Sequence, residues 1–358
     1  MKMPQLKIGH LVSRLPIIQG GMGVGISMSG LASAVANAGG IGVIAGAMAG
    51  ITEKDVSTDG VAANCRALAR EIRKAREKSR GIIGVNIMVA LTHFADMVRT
   101  AIAEKIDIIF AGAGLPLDLP GFLKEGDCTR LVPIVSSGRA AALICRRWHQ
   151  RYGYLPDAFV VEGPKAGGHL GFKPDQLDDP AFCLENLVKE VVAEMKAVEA
   201  QHGVKVPVIA AGGVYDGEDI RRFLEMGASG VQMGTRFVAT HECDADPAFK
   251  QCYVDAREED LTVIKSPVGL PGRALKNRFL EDVAAGIKRS FRCPYHCIKS
   301  CDPEKSPYCI GMALAQARLG RLKNGFAFAG ANAFRVDKIV SVNELMGSLE
   351  AGYALASA

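Results

Sequence analysis

The chain has 358 residues, of which 49% are hydrophobic and 23% are charged, so it is long enough and apolar enough to bury a large core. The net charge of +5 is spread along the chain, and no basic block alternates with aromatic residues, which argues against a nucleic-acid-binding protein. The one long apolar stretch, 28–50, is divided by Asn37 and by the Gly39-Gly40 pair, so we expect no membrane span. No charged leader with a cleavage site precedes this stretch, so we expect a cytoplasmic protein.

Short, nearly continuous apolar runs alternate with amphipathic, charged stretches over the first 240 residues. Runs of this kind are typical of parallel strands that are buried on both faces. The predicted strands are 15–19, 41–45, 82–88, 106–111, 131–135, 158–162, 206–210 and 230–233, and the clearest predicted helices are 61–80, 94–104, 139–151, 184–202 and 219–226. Eight such units in about 240 residues match the size of a TIM (β/α)8 barrel, and a doubly wound open sheet is the alternative.

The alternation ends near residue 241, where prolines, cysteines and short helical patterns replace it. We therefore predict three parts, which are the barrel over 1–240, a smaller helical subdomain or lid over 241–335, and a C-terminal helix over 336–358 that packs back on the barrel. Ser341 and Glu344 have the spacing of a capping box, which predicts the start of that helix.

Glycine-rich sequences follow the last two predicted strands of the barrel. Gly212 and Gly213 come after the seventh strand, and Gly234 and Thr235 come after the eighth. In TIM barrels these two loops often bind phosphate, because glycine lets backbone N–H groups approach it closely, and a threonine adds a hydroxyl donor. Two such loops together predict a phosphate-bearing ligand, whereas either one alone would only indicate a tight turn.

His169 stands among glycines, after Gly167 and Gly168 and before Gly171, on the loop that follows the sixth predicted strand. Such a histidine lies at the predicted barrel mouth, where it can accept or donate a proton near neutral pH. We interpret it as an acid–base group, and the alternative is an exposed loop histidine without a catalytic role.

Six motifs occur in the order and at the intervals of a known family, and they cover most of the barrel. They are PIIQGGM at 16–22, GGIG at 39–42, GVN at 84–86, EG at 162–163 with AGGH at 166–169, AGG at 211–213 and QMGT at 232–235. Together they resemble the nitronate monooxygenase family, also called 2-nitropropane dioxygenase, which includes flavin-dependent enoyl-ACP reductases. The set is specific although each motif alone is weak.

The resemblance implies a TIM barrel with FMN lying across its mouth and with His169 as the active-site histidine. The residues that match the family's cofactor-binding positions are Gly21, Met22, Gly23, Asn86, Glu162, Gly167, Gly168, Gly212, Gly213, Gln232, Met233, Gly234 and Thr235. No Gly-x-Gly-x-x-Gly motif follows a strand, so a separate dinucleotide-binding domain is not expected.

The resemblance leaves two reactions open. In nitronate monooxygenases the flavin accepts an electron from an alkyl nitronate, and His169 would deprotonate a nitroalkane or stabilise the anionic nitronate. In the enoyl reductases NAD(P)H reduces the flavin, which passes a hydride to an enoyl thioester while His169 positions a proton, and the loop 19–22 resembles these enzymes somewhat more.

A non-catalytic flavin-binding barrel is the least favoured hypothesis, because a binding protein has no need of this histidine. Either enzyme would act on a small molecule, and a helix-rich exterior leaves room for a homodimer.

Four of the ten cysteines are grouped in one short stretch that departs from the family pattern, namely Cys293, Cys297, Cys301 and Cys309. On a helix, cysteines four residues apart project from one side, and Pro303 and Pro307 would turn the chain so that the last cysteine returns toward the others. Four gathered thiolates would bind a [4Fe–4S] cluster or a zinc ion, or would stay as free thiols. An oxygen-sensitive cluster would favour the reductase, and zinc or free thiols would favour the monooxygenase.

Overall fold

A computed structural model of the chain describes residues 2–356. Its central sheet consists of eight parallel strands, β1 (Ile17–Gln19), β2 (Gly42–Ala45), β3 (Ile83–Met88), β4 (Ile108–Gly112), β5 (Arg130–Val135), β6 (Phe159–Glu162), β7 (Val208–Ala211) and β8 (Gly230–Met233). From β2 to β8 each strand pairs in parallel with the next, and β8 pairs with β1. A parallel bridge from Ile18 to Ile41 brings the two ends of the sheet together. The sheet is the TIM barrel that the sequence predicts, with all eight predicted strands present.

The barrel interior is filled by fully buried side chains contributed by different strands, among them Val43, Phe110 and Val132. This filling by large apolar side chains is what makes a TIM barrel a packed core rather than a pore. An N-terminal hairpin (Leu6–Ile8 with Leu11–Ser13) adds to the same cluster, and Leu6 lies beside Gly230 at the start of β8. The amino-terminal end of the barrel is therefore covered, and a ligand has access at the other end.

Seven helices follow the strands around the barrel, α1 (Ser29–Asn37), α2 (Gly60–Lys78), α3 (Phe94–Ala103), α4 (Gly138–Tyr152), α5 (Leu184–His202), α6 (Gly217–Glu225) and α7 (Thr235–Val238). Asp59, Ser137 and Asp216 fix the starts of α2, α4 and α6, because each side chain accepts a backbone N–H that the helix leaves unpaired. The apolar segment 28–50 forms α1 and β2, and no helix within residues 2–356 is long and apolar enough to cross a membrane.

Between α7 and residue 356 the structure has four more helices and an antiparallel hairpin. The helices are α8 (Pro247–Val254), α9 (Arg278–Ala284), α10 (Ile310–Arg318) and α11 (Val342–Leu355), and short 3-10 turns in this part span Glu258–Asp260, Leu322–Asn324 and Ala333–Arg335. Three other 3-10 turns lie within the barrel, at Leu119–Phe122, Pro174–Gln176 and Pro180–Phe182. The hairpin pairs Leu261–Lys265 with Pro271–Leu275, and Gly168–His169 joins its edge, so these three strands form a lid sheet. The sequence predicts only helices in this part. The hairpin could not be predicted, because its first strand is only partly buried and lacks the continuous apolar run of a barrel strand.

The last helix, α11, packs on the outside of the barrel. Its start has the capping box that the sequence predicts, with Ser341 and Glu344 bonded reciprocally. Gly217 at the start of α6 lets the two helices approach closely, because a Cβ there would overlap the backbone of Tyr353. Met346 lies against Gly40, just before β2, on the same side of the barrel.

Candidate active site

A cavity of about 300 Å³ opens at the carboxyl ends of the strands. Its volume lies at the lower end of the range for small-molecule sites. The residues that the sequence predicts as cofactor-binding or acid–base groups all line it, namely Gly21, Met22, Gly23, Asn86, Glu162, Gly167, Gly168, His169, Gly212, Gly213, Gln232, Met233, Gly234 and Thr235. Apolar residues from the second half of the chain, including Ile298, Ile310 and Phe328, form another part of its wall. The barrel loops and the C-terminal segment thus enclose one site.

The loops after β7 and β8 have the geometry of an anion site. Gly212 and Gly213 have φ values of +90° and +105°, a left-handed region that side chains other than glycine rarely adopt. Asn332 donates to the Gly213 carbonyl at 2.7 Å and holds this loop. Within residues 2–356, the N–H groups of Gly213 and Gly234 donate to no protein acceptor. Unpaired backbone donors on loops of this kind are the groups that bind phosphate oxygens.

The loop after β1 forms a second side of the cavity, made of glycine backbone and the Met22 side chain. Gly21 lies against Asn86 of β3 so closely that a Cβ on the glycine would overlap the asparagine side chain. Met22 is fixed by a backbone hydrogen bond to the Ser27 hydroxyl at 2.9 Å, and its sulfur lies beside Gly234. The backbone of this loop lines the cavity next to the phosphate loops, so a flat group in the cavity would lie against it. These residues therefore fit the flavin and the phosphate of FMN.

His169 reaches the cavity from the lid sheet. Its Nε2 lies 2.8 Å from the Ser266 hydroxyl, and its ring packs edge-on against Phe328 with 5.1 Å between the ring centroids. Burial lowers the pKa of His169 to about 4, so the ring is uncharged at neutral pH. A neutral imidazole has one donor and one acceptor nitrogen, and the contact with Ser266 engages Nε2, so Nδ1 is the nitrogen that is left for a ligand.

Glu162 ends β6 and presents its carboxyl group to the cavity. The carboxyl group makes no hydrogen bond and no ion pair within the part of the chain that the structure describes. Burial raises the pKa of Glu162 to about 7, so the group can be protonated or ionised near neutral pH. A buried carboxyl without a protein partner is available to a hydroxyl or N–H group of a ligand.

Several wall residues could not be found from the sequence. Ser266, Phe328 and Asn332 all lie beyond the barrel, and no motif marks them. Lys165 also lines the cavity, with its side chain next to Gly213. Its position among the glycines before His169 was the only signal, and it was too weak to assign a role.

The four cysteines lie outside the cavity, although Ile298 and Ile310, which follow two of them, line it. All four thiols are free. Over residues 2–356, no three His, Cys, Asp or Glu side chains are grouped so that they would hold a metal ion. The structure therefore contains no preformed zinc tetrahedron in its described part.

The chain is similar to known proteins over most of its length. A family model described as nitronate monooxygenase matches residues 5–352. The chain is 32% identical to the nitronate monooxygenase of Pseudomonas aeruginosa over 301 residues, which cover 75% of this chain and 79% of that protein. It is 29% identical over 273 residues to the (3aS,4S,5R,7aS)-5-hydroxy-7a-methyl-1-oxo-octahydro-1H-indene-4-carboxyl-CoA dehydrogenase of Mycobacterium tuberculosis, and this match covers 76% of the chain but only 66% of that protein's length.

Two solved structures share the fold over nearly the whole chain. FabK from Thermotoga maritima superposes with a TM-score of 0.73 at 28% identity, and the match covers 96% of this chain and 93% of that one. Nitroalkane oxidase from Streptomyces ansochromogenes superposes with a TM-score of 0.72 over 96% of this chain and 97% of that one. Its identity of 22% supports similarity of fold alone.

Proposed function

The chain belongs to the nitronate monooxygenase family, a family of oxidoreductases, and we propose that it binds FMN and oxidises alkyl nitronates. The observation that supports this most directly is His169, an uncharged imidazole that lines a cavity whose other walls include the glycine loops. FMN, when bound, supplies the electron acceptor. The protein supplies the binding groups, the acid–base group and a cavity wall that limits access of water.

Each part of the cavity has a distinct task in this proposal. The N–H groups of Gly213 and Gly234 bind the phosphate of FMN, and the loop at Gly21, Met22 and Gly23 lies against the ring system. The imidazole of His169 accepts a proton from a nitroalkane or stabilises the anionic nitronate. An anion next to this ring favours its charged form, so substrate binding itself raises the pKa of the histidine. Ser266 keeps the ring in one orientation during this change.

The experiment is an anaerobic absorbance titration of the purified protein, first with an alkyl nitronate and then with NADH or NADPH. The proposal predicts flavin bands that bleach on addition of the nitronate, and that stay unchanged when NAD(P)H is added alone. Bands that do not respond to the nitronate would overturn it. A colourless protein that takes up no FMN would overturn the proposed cofactor as well.

A second candidate is an NAD(P)H-dependent reductase of enoyl thioesters. One observation favours it, since the relative from Mycobacterium tuberculosis is named for a carboxyl-CoA substrate, which is a thioester. The apolar wall at Ile298, Ile310 and Phe328 would suit an acyl chain. In this case His169 positions the proton that the product gains. Rapid bleaching by NAD(P)H, followed by reoxidation on addition of an enoyl thioester, identifies this reaction in the same titration.

A further inference from the structure

The four cysteines of the C-terminal segment form one neighbourhood, although they come from two separate stretches. Their sulfurs are close enough to interact electrostatically with one another, and Cys297 interacts with all three of the others. A backbone hydrogen bond of 2.8 Å from Arg289 to Pro307 joins the stretch before Cys293 to the stretch before Cys309. Cys297 is buried, and the other three are half-buried.

The first stretch is fixed to the barrel by the loop that follows β3. Thr92 donates to the Cys297 carbonyl at 3.1 Å, and Lys299 donates to the Ala90 carbonyl at 3.0 Å. Between them, Leu91 and Ile298 form an antiparallel bridge. The cysteines on this stretch therefore have a rigid support, as a preorganised binding site requires.

The second stretch places Cys309 at the N-terminal cap of α10. Its sulfur lies within reach of the backbone N–H groups of Gly311 and Met312. The N–H groups at a helix start have no partner within the helix, and they are donors for a sulfur atom that is bound to iron. The Tyr295 N–H acts in the same way on Cys293. Donors to sulfur are thus present at two of the four thiols.

We propose that Cys293, Cys297, Cys301 and Cys309 bind a [4Fe–4S] cluster. A zinc ion with Zn–S bonds of about 2.3 Å holds its thiolates about 3.8 Å apart in a tetrahedron. No three ligands are grouped for a single ion anywhere in residues 2–356, yet the four sulfurs share one neighbourhood. A [4Fe–4S] cube binds one thiolate at each iron and spreads the four ligands more widely than one ion does. The wider arrangement fits the cluster.

The cluster lies directly behind the wall of the proposed flavin cavity. Ile298 and Ile310 line that cavity, and each is the residue that follows a cysteine of the group. Successive Cα atoms are only about 3.8 Å apart, so ligands and wall residues are parts of the same turns. The cluster shares this wall whichever substrate the cavity takes, and its detection does not depend on the proposed reaction.

The test is a metal analysis of the full chain, purified without oxygen and then reconstituted with ferrous iron and sulfide. We expect about four irons and four sulfides per chain, and an electron paramagnetic resonance signal after reduction with dithionite. Cys297→Ser and Cys309→Ser should each lower the iron content to less than half of the wild-type value. Cys145→Ser is the matched control, since Cys145 is a buried thiol on α4 outside the group, and it should keep the full iron content.

Two results would overturn the proposal that the four cysteines bind a [4Fe–4S] cluster. One is a single zinc ion per chain with no uptake of iron after reconstitution, which would identify a zinc site. The other is an iron content that stays the same in the Cys297→Ser and Cys309→Ser variants. FMN content and circular dichroism show whether each variant is folded. If the Cys297 variant does not fold, the iron content of Cys301→Ser, a substitution at a half-buried position, is measured in its place.

Discussion

Ser266 Oγ lies 2.8 Å from His169 Nε2, although 97 residues separate the two in the chain. The lid sheet makes this contact, because Gly168–His169 pairs with Pro271–Leu275 and Ser266 stands in the turn of the same hairpin. Ser266 is buried, and its hydroxyl also accepts from the Val268 N–H at 3.4 Å. The histidine is therefore oriented by a part of the protein that the barrel motifs do not include.

Replacement of His169 by alanine should lower turnover while FMN stays bound. A positioned acid–base group contributes about 100- to 10,000-fold to rate, and a loss in this range is expected here. Steady-state kinetics with nitronates and with enoyl thioesters, together with the flavin spectrum, measure both effects. His149→Ala, at an exposed histidine on α4, is the control and should match the wild type. Full activity of the His169 variant on every substrate would show that His169 is not the acid–base group.

Replacement of Ser266 by alanine should have a smaller effect, which acts through the histidine. A neutral hydrogen bond contributes about 1 kcal/mol, so kcat should fall roughly 5-fold while KM changes little. Ser266→Thr keeps the hydroxyl and should restore most of kcat. An equal loss of kcat in both variants would show that the conformation of the turn, and not the hydrogen bond to His169, determines kcat. Comparison of the two pH–rate profiles adds a second readout.

Replacement of Glu162 by glutamine should change how stability depends on pH in the cofactor-free protein. The folded pKa of about 7 is above the ordinary value of 4.5, so the folded state binds a proton more tightly than the unfolded state does. The contribution of Glu162 to stability is therefore complete below about pH 4.5 and is lost as the pH rises through 7. The loss has an upper limit of about 3 kcal/mol. Glu162→Gln should lack this loss, so its stability relative to the wild type should rise over that window.

Chemical denaturation at several pH values measures the Glu162 effect. The comparison is made between variant and wild type, because His169, with its pKa lowered to about 4, contributes a change of opposite sign. Its stabilising effect is complete above about pH 6.5 and is lost as the pH falls toward 4. Glu125→Gln, at an exposed glutamate, serves as the control and should follow the wild type. Parallel curves for Glu162→Gln and the wild type would contradict the prediction.

The barrel could be predicted from the sequence because its strands are buried on both faces. A run such as 158–162 is apolar almost throughout, and the structure has a strand there at Phe159–Glu162. The loops after the strands could also be predicted, since a glycine such as Gly212 stands where the backbone has a positive φ. Local sequence carries both signals, so no knowledge of distant contacts was needed.

The lid sheet could not be predicted in the same way. The strand Gly168–His169 has only two residues and exists because Gly272 and Arg273 pair with it. Pairing between segments so far apart depends on how the C-terminal part folds over the barrel, and no local pattern encodes it. The apolar wall at Ile298 and Ile310 depends on the same folding. Local sequence thus predicted the loops on the barrel side of the cavity, whereas the residues of 241–335 that face the cavity could not be predicted from it.

Replacement of Gly213 by alanine should weaken FMN binding at least tenfold. Gly213 has a φ of +105°, and a Cβ there would lie 3.0 Å from the Cβ of Lys165, so the loop must move and its N–H must turn away from the phosphate. The same strain should lower stability by about 1–2 kcal/mol. Gly203→Ala is the matched control, because Gly203 has a φ of +68° at the end of α5 and nothing lies within 4 Å of its Cβ position. Thermal unfolding and flavin fluorescence titration separate the two effects, since the control should lose stability and keep its affinity for FMN. Equal affinity in both variants would mean that the loop after β7 does not bind the phosphate.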